Sequence, residues 1–191
     1  LISQSILTTG PKSCDHLYFV VLLFEIQVVF PIERALLSDY PGIASIVFLP
    51  HAVRVLGTVI VGPKIFFVLF PTIIVSGYFL FGSYGGLSWP LVVDAAIGAS
   101  CAPLAYLTVK WVERKRPNFK LTLRNWRMVF LIGAVASVLN SVMRVTLLGG
   151  ERTAPKIVDG ITKVIIGDMI GLMLGLVVLV FAFRIIRRRR I

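Results

Sequence analysis

From Gly160 to Arg190 the chain reads GITKVIIGDMIGLMLGLVVLVFAFRIIRRRR, and no other stretch limits the possible folds so tightly. Between Ile161 and Ile186 it is almost entirely apolar. As a helix rising about 1.5 Å per residue, it is long enough to cross a hydrocarbon core of roughly 30 Å, so it is a transmembrane helix. Gly167, Gly171 and Gly175 recur at every fourth residue and form a smooth stripe where a second helix can approach closely. The stripe suits packing inside a bundle or between copies. Asp168 beside it favours the bundle interior, because an ionisable group at that depth is costly facing lipid. Arg184 and the run Arg187 to Arg190 mark the C-terminal end of the span as cytoplasmic.

Five more apolar stretches precede this one. The polar lead, residues 1–16, contains Gly10-Pro11 and no short apolar region with a small-residue cleavage site, so no cleavable signal peptide is expected. The spans are then expected at about 17–37, 43–61, 65–81, 91–112, 128–148 and 161–186, with a basic tail at 188–191. Turn residues Ser38 to Gly42 separate the first two, and Gly62-Pro63-Lys64 joins the second and third as antiparallel neighbours. GSYGGLSWP, Gly82 to Pro90, is a loop whose Tyr84 and Trp89 suit an interfacial belt. The first span is the most polar, carrying Glu25, Gln27, Pro31, Glu33 and Arg34, and Glu25 is read as belonging to a partly interfacial helix, with a proton-relay acid as the second reading. Pro50 falls within the second span, where it frees a backbone carbonyl one turn earlier for some neighbouring donor.

Charge sets the orientation. With the last span ending in the cytoplasm, six spans place both termini, the Gly62 turn and the Arg114 to Arg127 loop there. Only Arg34, Arg144, Arg152, Lys156 and Lys163 of the 20 Lys and Arg then fall outside, and Arg54 lies within the membrane, as the positive-inside rule requires. The expected fold is therefore an all-α polytopic transmembrane bundle of six helices, with cytoplasmic N- and C-termini. A hydrophobic content of 57% against 15% charged residues places the chain in the membrane class. The net charge of +11 sits at the ends of spans, where anionic headgroups at the cytoplasmic face account for it better than nucleic acid does. Cys14 and Cys101, one of them in a span, make neither a disulfide framework nor a metal-ligand set.

Six polar groups fall within spans after the first: His51, Arg54, Asp94, Asn140, Arg144 and Asp168. Counted from the outer end of each helix, Asp94 and Arg144 lie about 6 Å deep, Asp168, His51 and Asn140 about 10 to 12 Å, and Arg54 about 16 Å. All but Arg54 belong to the outer half. His51 and Arg54 are three residues apart and share a helix face. A buried network is expected, with Arg54 paired to Asp168 or Asp94. Two readings of it stand side by side: a structural ion pair that sets helix order, and a pocket for a small polar or anionic ligand or a proton-sensitive switch at His51. No Ser/His/Asp set, phosphate loop or His cluster is present, so neither an enzyme nor a cofactor is expected.

FLPHAVRVLGTVIVGPKIFFVLFP (Phe48 to Pro71), NWRMVFLIGAVASVLNS (Asn125 to Ser141) and IGDMIGLMLG (Ile166 to Gly175) resemble the MASE1-type integral membrane sensor domain of bacterial signalling proteins. Pro50, His51, Arg54, Gly167, Asp168 and Gly171 occupy the matching positions of a Pro-containing helix and a later Gly-Asp-x-x-Gly motif. The resemblance covers half of the chain. It implies a multi-pass bundle of the bacterial inner membrane that perceives a signal. That family has more spans and passes its signal to a cytoplasmic kinase or cyclic-nucleotide domain, whereas this sequence ends five residues after Ile186. The resemblance therefore implies a separate protein partner. Two other readings remain: an accessory subunit of a larger membrane complex, and a small-molecule-binding subunit of an uptake system. The second lacks the Ala-x-x-x-Ala docking pattern expected between Leu17 and Leu37. The oligomeric state is left open.

Overall fold

The structure, a computed structural model, describes residues 10–36, 46–81, 88–115, 125–148 and 154–188. The expected turn at Ser38 to Gly42, Tyr84 with the first part of its loop, most of the basic loop and the chain beyond Arg188 lie outside the described residues. The described residues are helical almost throughout. Helix α1 (Gly10–Phe24) runs through a π-helical turn (Glu25–Val29) into α2 (Phe30–Leu36). Then come α3 (Leu49–Val61), a 3-10 turn (Pro63–Ile65), α4 (Phe66–Phe81), α5 (Trp89–Val112), α6 (Trp126–Leu148) and α7 (Ala154–Arg188).

Four helices are long and apolar enough to cross a membrane: His16–Glu33, Trp89–Val112, Trp126–Leu148 and Ile157–Ala182. This makes the chain an all-helical protein of membrane character. The other two apolar helices, Leu49–Val61 and Pro63–Phe79, are shorter. The second is joined to the first by Gly62, whose φ of 91° is a left-handed conformation that favours glycine, and whose N–H donates to the Thr58 carbonyl at 2.8 Å.

The expected second span needs correction at its start. Ile46 and Val47 form a bend, and the helix begins only at Leu49. Pro50 explains the boundary. It sits in the first helical turn, where a missing N–H leaves no bond unmade and a preset φ suits the helix. Pro50 therefore opens a helix rather than interrupting one.

Short α3 is also the centre of the molecule. Pro50 to Thr58 is buried without a break, so every face of the helix is covered. It packs against α1, α5, α6 and α7. Ala52, Val55 and Leu56 join an apolar cluster with α5, α6 and α7, while Val53 joins a second cluster with α1, α4 and α5. Next to lipid this arrangement depends on close packing, because lipid tails are as apolar as the side chains.

The seam between α3 and α7 is the glycine stripe. The Phe48 N–H donates to the Gly167 carbonyl at 3.0 Å, and the Phe48 carbonyl lies directly on Gly171. Ala52 lies on Gly175. Contacts thus advance in the same direction along both helices, so α3 and α7 run parallel. At Gly171 any side chain would overlap main-chain atoms of Phe48, which cannot move aside as a rotamer could. The stripe is used within the chain.

Candidate functional site

The start of α3 is the place where polar groups converge. Asp168, beside the stripe, lies about 16 Å from the Ile157 end and about 21 Å from the Ala182 end of the apolar part of α7. It is therefore near mid-depth, deeper than its expected place in one half of the bundle, because α7 begins earlier than Ile161. The first turn of α3 sits at this level, with free main-chain N–H groups that lipid cannot satisfy.

The first helix supplies two of the partners. Glu25, fully buried, accepts a hydrogen bond from the Leu49 N–H at 3.3 Å, and Glu33 accepts one from the Val47 N–H at 3.0 Å. Their spacing of eight residues would turn them about 80° apart around a regular α-helix. The π turn between them takes in about one extra residue and brings them into closer alignment. Carboxylates here also meet the positive end of the α3 dipole. The reading of Glu25 as an interfacial residue is thereby corrected: it is a buried cap.

His51 lies one turn into α3 and bridges two other helices. Its Nε2 is 3.2 Å from the Gly133 carbonyl on α6, and its Nδ1 is 3.5 Å from Asp168 Oδ2 on α7. A carbonyl can only accept, so Nε2 carries the hydrogen. Nδ1 then faces the carboxylate with a lone pair unless a further proton lies on one of the two groups. The Ser137 hydroxyl of α6 donates to the same Oδ2 at 2.6 Å. Both His51 and Asp168 are almost fully buried.

Arg54 does not make the expected pair. Neither Asp168 nor Asp94 forms an ion pair with it: Asp168 is engaged by His51 and Ser137, and Asp94 by Arg144 at 2.9 Å. Arg54, only 4% exposed, donates instead from Nη2 to the Tyr18 hydroxyl at 2.7 Å. Its guanidinium lies 5.5 Å from the centres of the Tyr18 and Phe48 rings, within cation–π range. Gly98 faces the same guanidinium, and Arg54 Nε has no hydrogen-bond partner among the described residues.

The six sequence candidates therefore separate. His51 and Asp168 come together with Ser137. Arg144 and Asp94 form a half-buried pair between α6 and α5, while Asn140 is buried with its Oδ1 unpartnered among the described residues. Arg54 turns to the first helix. Tyr18, Ser137 and the capping role of Glu25 were not among the candidates. A signal for each was present: Tyr18 precedes Glu25 by seven residues and so shares its face, and Ser137 precedes Asn140 and Ser141 by three and four. Among the described residues no three His, Cys, Asp or Glu side chains assemble as a metal-ligand set.

No protein-family model, curated protein or solved structure matches this chain.

Proposed function

We propose that this chain is a non-enzymatic sensory or regulatory bundle of the bacterial inner membrane, with the His51–Asp168 contact at the start of α3 as its responsive element. The likeness of Phe48 to Pro71 and Ile166 to Gly175 to MASE1-type sensor domains agrees with this reading. In this arrangement the chain crosses the membrane six times, with both termini in the cytoplasm and the second crossing completed by a helix that begins at mid-depth. A protein partner at the cytoplasmic face receives the response.

The observation that carries the proposal is a contact that is one proton short. With a proton on the pair, Nδ1 and Oδ2 attract. Without it, two acceptors face each other in a dry site, where an unmet polar contact is expensive. Loss of the proton as pH rises therefore loosens the first turn of α3 from α7. Because that turn also rests on Gly167, Gly171 and Glu25, the movement is transmitted along α3 towards Gly62.

Hydrogen–deuterium exchange of the protein in lipid nanodiscs tests this, with pH corrected for chemical exchange. Protection over 46–56 and 164–172 should fall as pH rises from about 4 to 8, a span that includes the ordinary histidine range. His51→Gln and Asp168→Asn should abolish that dependence. Equal protection across the range in the unaltered protein would overturn the proposal.

A further inference from the structure

One face of α6 joins the His51–Asp168 contact to the edge of the bundle. Ser137 follows Gly133 by four residues, Asn140 and Ser141 follow Ser137 by three and four, and Arg144 follows those two by four and three, so the five lie along one stripe of the helix. Gly133 and Ser137 hold His51 and Asp168. Seven residues on, about 10 Å along the axis, Arg144 pairs with Asp94 in a site where the two side chains are 38% and 23% exposed. Between these ends stand Asn140, 3% exposed, and Ser141, 4% exposed. Asn140 Oδ1, Ser141 Oγ and Arg144 Nε are buried and have no hydrogen-bond partner among the described residues.

Three unmet polar atoms in a row demand an explanation. Each is costly if left unpaired, and a lipid-facing or dry packing role would have been met by apolar residues. Their chemistry is mixed: a carbonyl acceptor, a hydroxyl that donates and accepts, and a guanidinium donor. Water is the ligand that satisfies all three. We infer that the Ser137 to Arg144 face of α6 is a hydrated access path, by which water and protons reach the His51–Asp168 contact from the Leu148 end of the helix.

Arg144 at the mouth repels free cations, and Asp94 beside it offsets that charge; a proton relayed along hydrogen-bonded water needs no cation to pass. The inner end is closed by the groups around the pair. These are Asp168 from α7 and Arg54 from α3 itself, with the Cys101 thiol of α5 near both, and α6 contributing Ser137 but no charge. The path thus reaches the pair from one side of the bundle. The inference deepens the proposed function by naming the route to its responsive element, and rests on that reading for its purpose. The access itself is independent of any response.

Cysteine labelling tests the path separately. In a Cys14→Ser, Cys101→Ala background, single changes Asn140→Cys and Ser141→Cys are placed beside Val138→Cys and Val142→Cys, whose native side chains are 45% exposed on the outer surface of α6. A small charged methanethiosulfonate reacts only with thiolate in water. Applied to oriented proteoliposomes from the side of Leu148, it should label positions 140 and 141 at least tenfold faster than 138 and 142, and tenfold faster than from the opposite side. Equal rates at all four positions, no reaction at 140 and 141, or faster reaction from the Trp126 side would each overturn the inference. Ser141→Cys is nearly isosteric and carries the test if Asn140→Cys does not accumulate. Labelling without a pH response in hydrogen exchange would leave the path standing and remove the proposed function; the reverse result would do the opposite.

Discussion

Arg54 and Arg144 are two cations inside one helical bundle, held in opposite ways. Arg144 lies 2.9 Å from Asp94, and the pair keeps part of its surface open. Arg54 is 4% exposed and has no ion pair among the described residues; a hydroxyl and two aromatic rings hold it. A charge near the edge of a bundle can use one carboxylate and whatever water reaches it. At the centre, a carboxylate would itself need desolvation, whereas the negative face of a ring and a phenol oxygen stabilise a guanidinium with no second ion to bury. The acids nearest in depth are spent on other tasks, since Asp168 holds His51 and Ser137 while Glu25 caps α3.

The comparison depends on α3 lying where it does, so the change with the largest expected effect is beneath its first turn. Gly171→Leu drives a side chain into the Phe48 main chain and should cost at least about 4 kcal/mol, the range of severe core overlap. Thermal unfolding in detergent, or failure to accumulate, reads it. Retention of wild-type stability would mean that α3 does not rest on the stripe.

Tyr18→Phe comes next. It removes the hydrogen bond from the buried Arg54 but keeps the ring, and should cost about 1.5–3 kcal/mol. If Arg54→Met in the same background restores stability, the cost belonged to the stranded charge, as expected when an uncompensated buried ion is replaced by an apolar side chain. A Tyr18→Phe protein as stable as the original would show that Arg54 has another anchor.

Asp94→Asn should have a smaller effect, below about 1 kcal/mol, because the Arg144 pair is partly exposed and such pairs contribute little. The contrast with Tyr18→Phe is the measurement that matters, and equal losses would erase the difference between the two sites. Gly98→Ala should have the smallest effect of all. Its added methyl meets Ile73 and Arg54 at 3.4 and 3.5 Å, near ordinary contact, so a change in melting temperature of only a degree or two is expected. A large loss there would show that the guanidinium fills its cage more tightly than these distances indicate.

Much of the candidate site could be read before the fold was known, and the unreadable part has a definite cause. Depth along a span depends on counting residues, so His51 and Asp168 could be assigned to one layer from sequence alone, and they do lie 3.5 Å apart. Which acid an arginine meets depends on the rotation and neighbours of each helix. Layer counting put Arg54 near Asp168 and Asp94 but could not weigh Tyr18, because the packing of α1 against α3 is not written in either segment. Glu25 and Glu33 were opaque for a related reason. The π turn brings them into closer alignment, and the main-chain N–H groups they meet belong to a helix start that is distant in sequence.

Apolar run lengths and the four-residue recurrence of glycine are local properties, and physical chemistry converts them directly into apolar helices of membrane character and a close-packing face. These features the sequence determined by itself. Tertiary structure decided that the short helix from Leu49 to Val61 stands at the centre, that it opens at mid-depth on Gly167 and Gly171, and that its histidine rather than its arginine meets the buried acid. The reason is that a buried polar group is satisfied by whichever partner arrives in three dimensions, and packing of the whole bundle selects that partner.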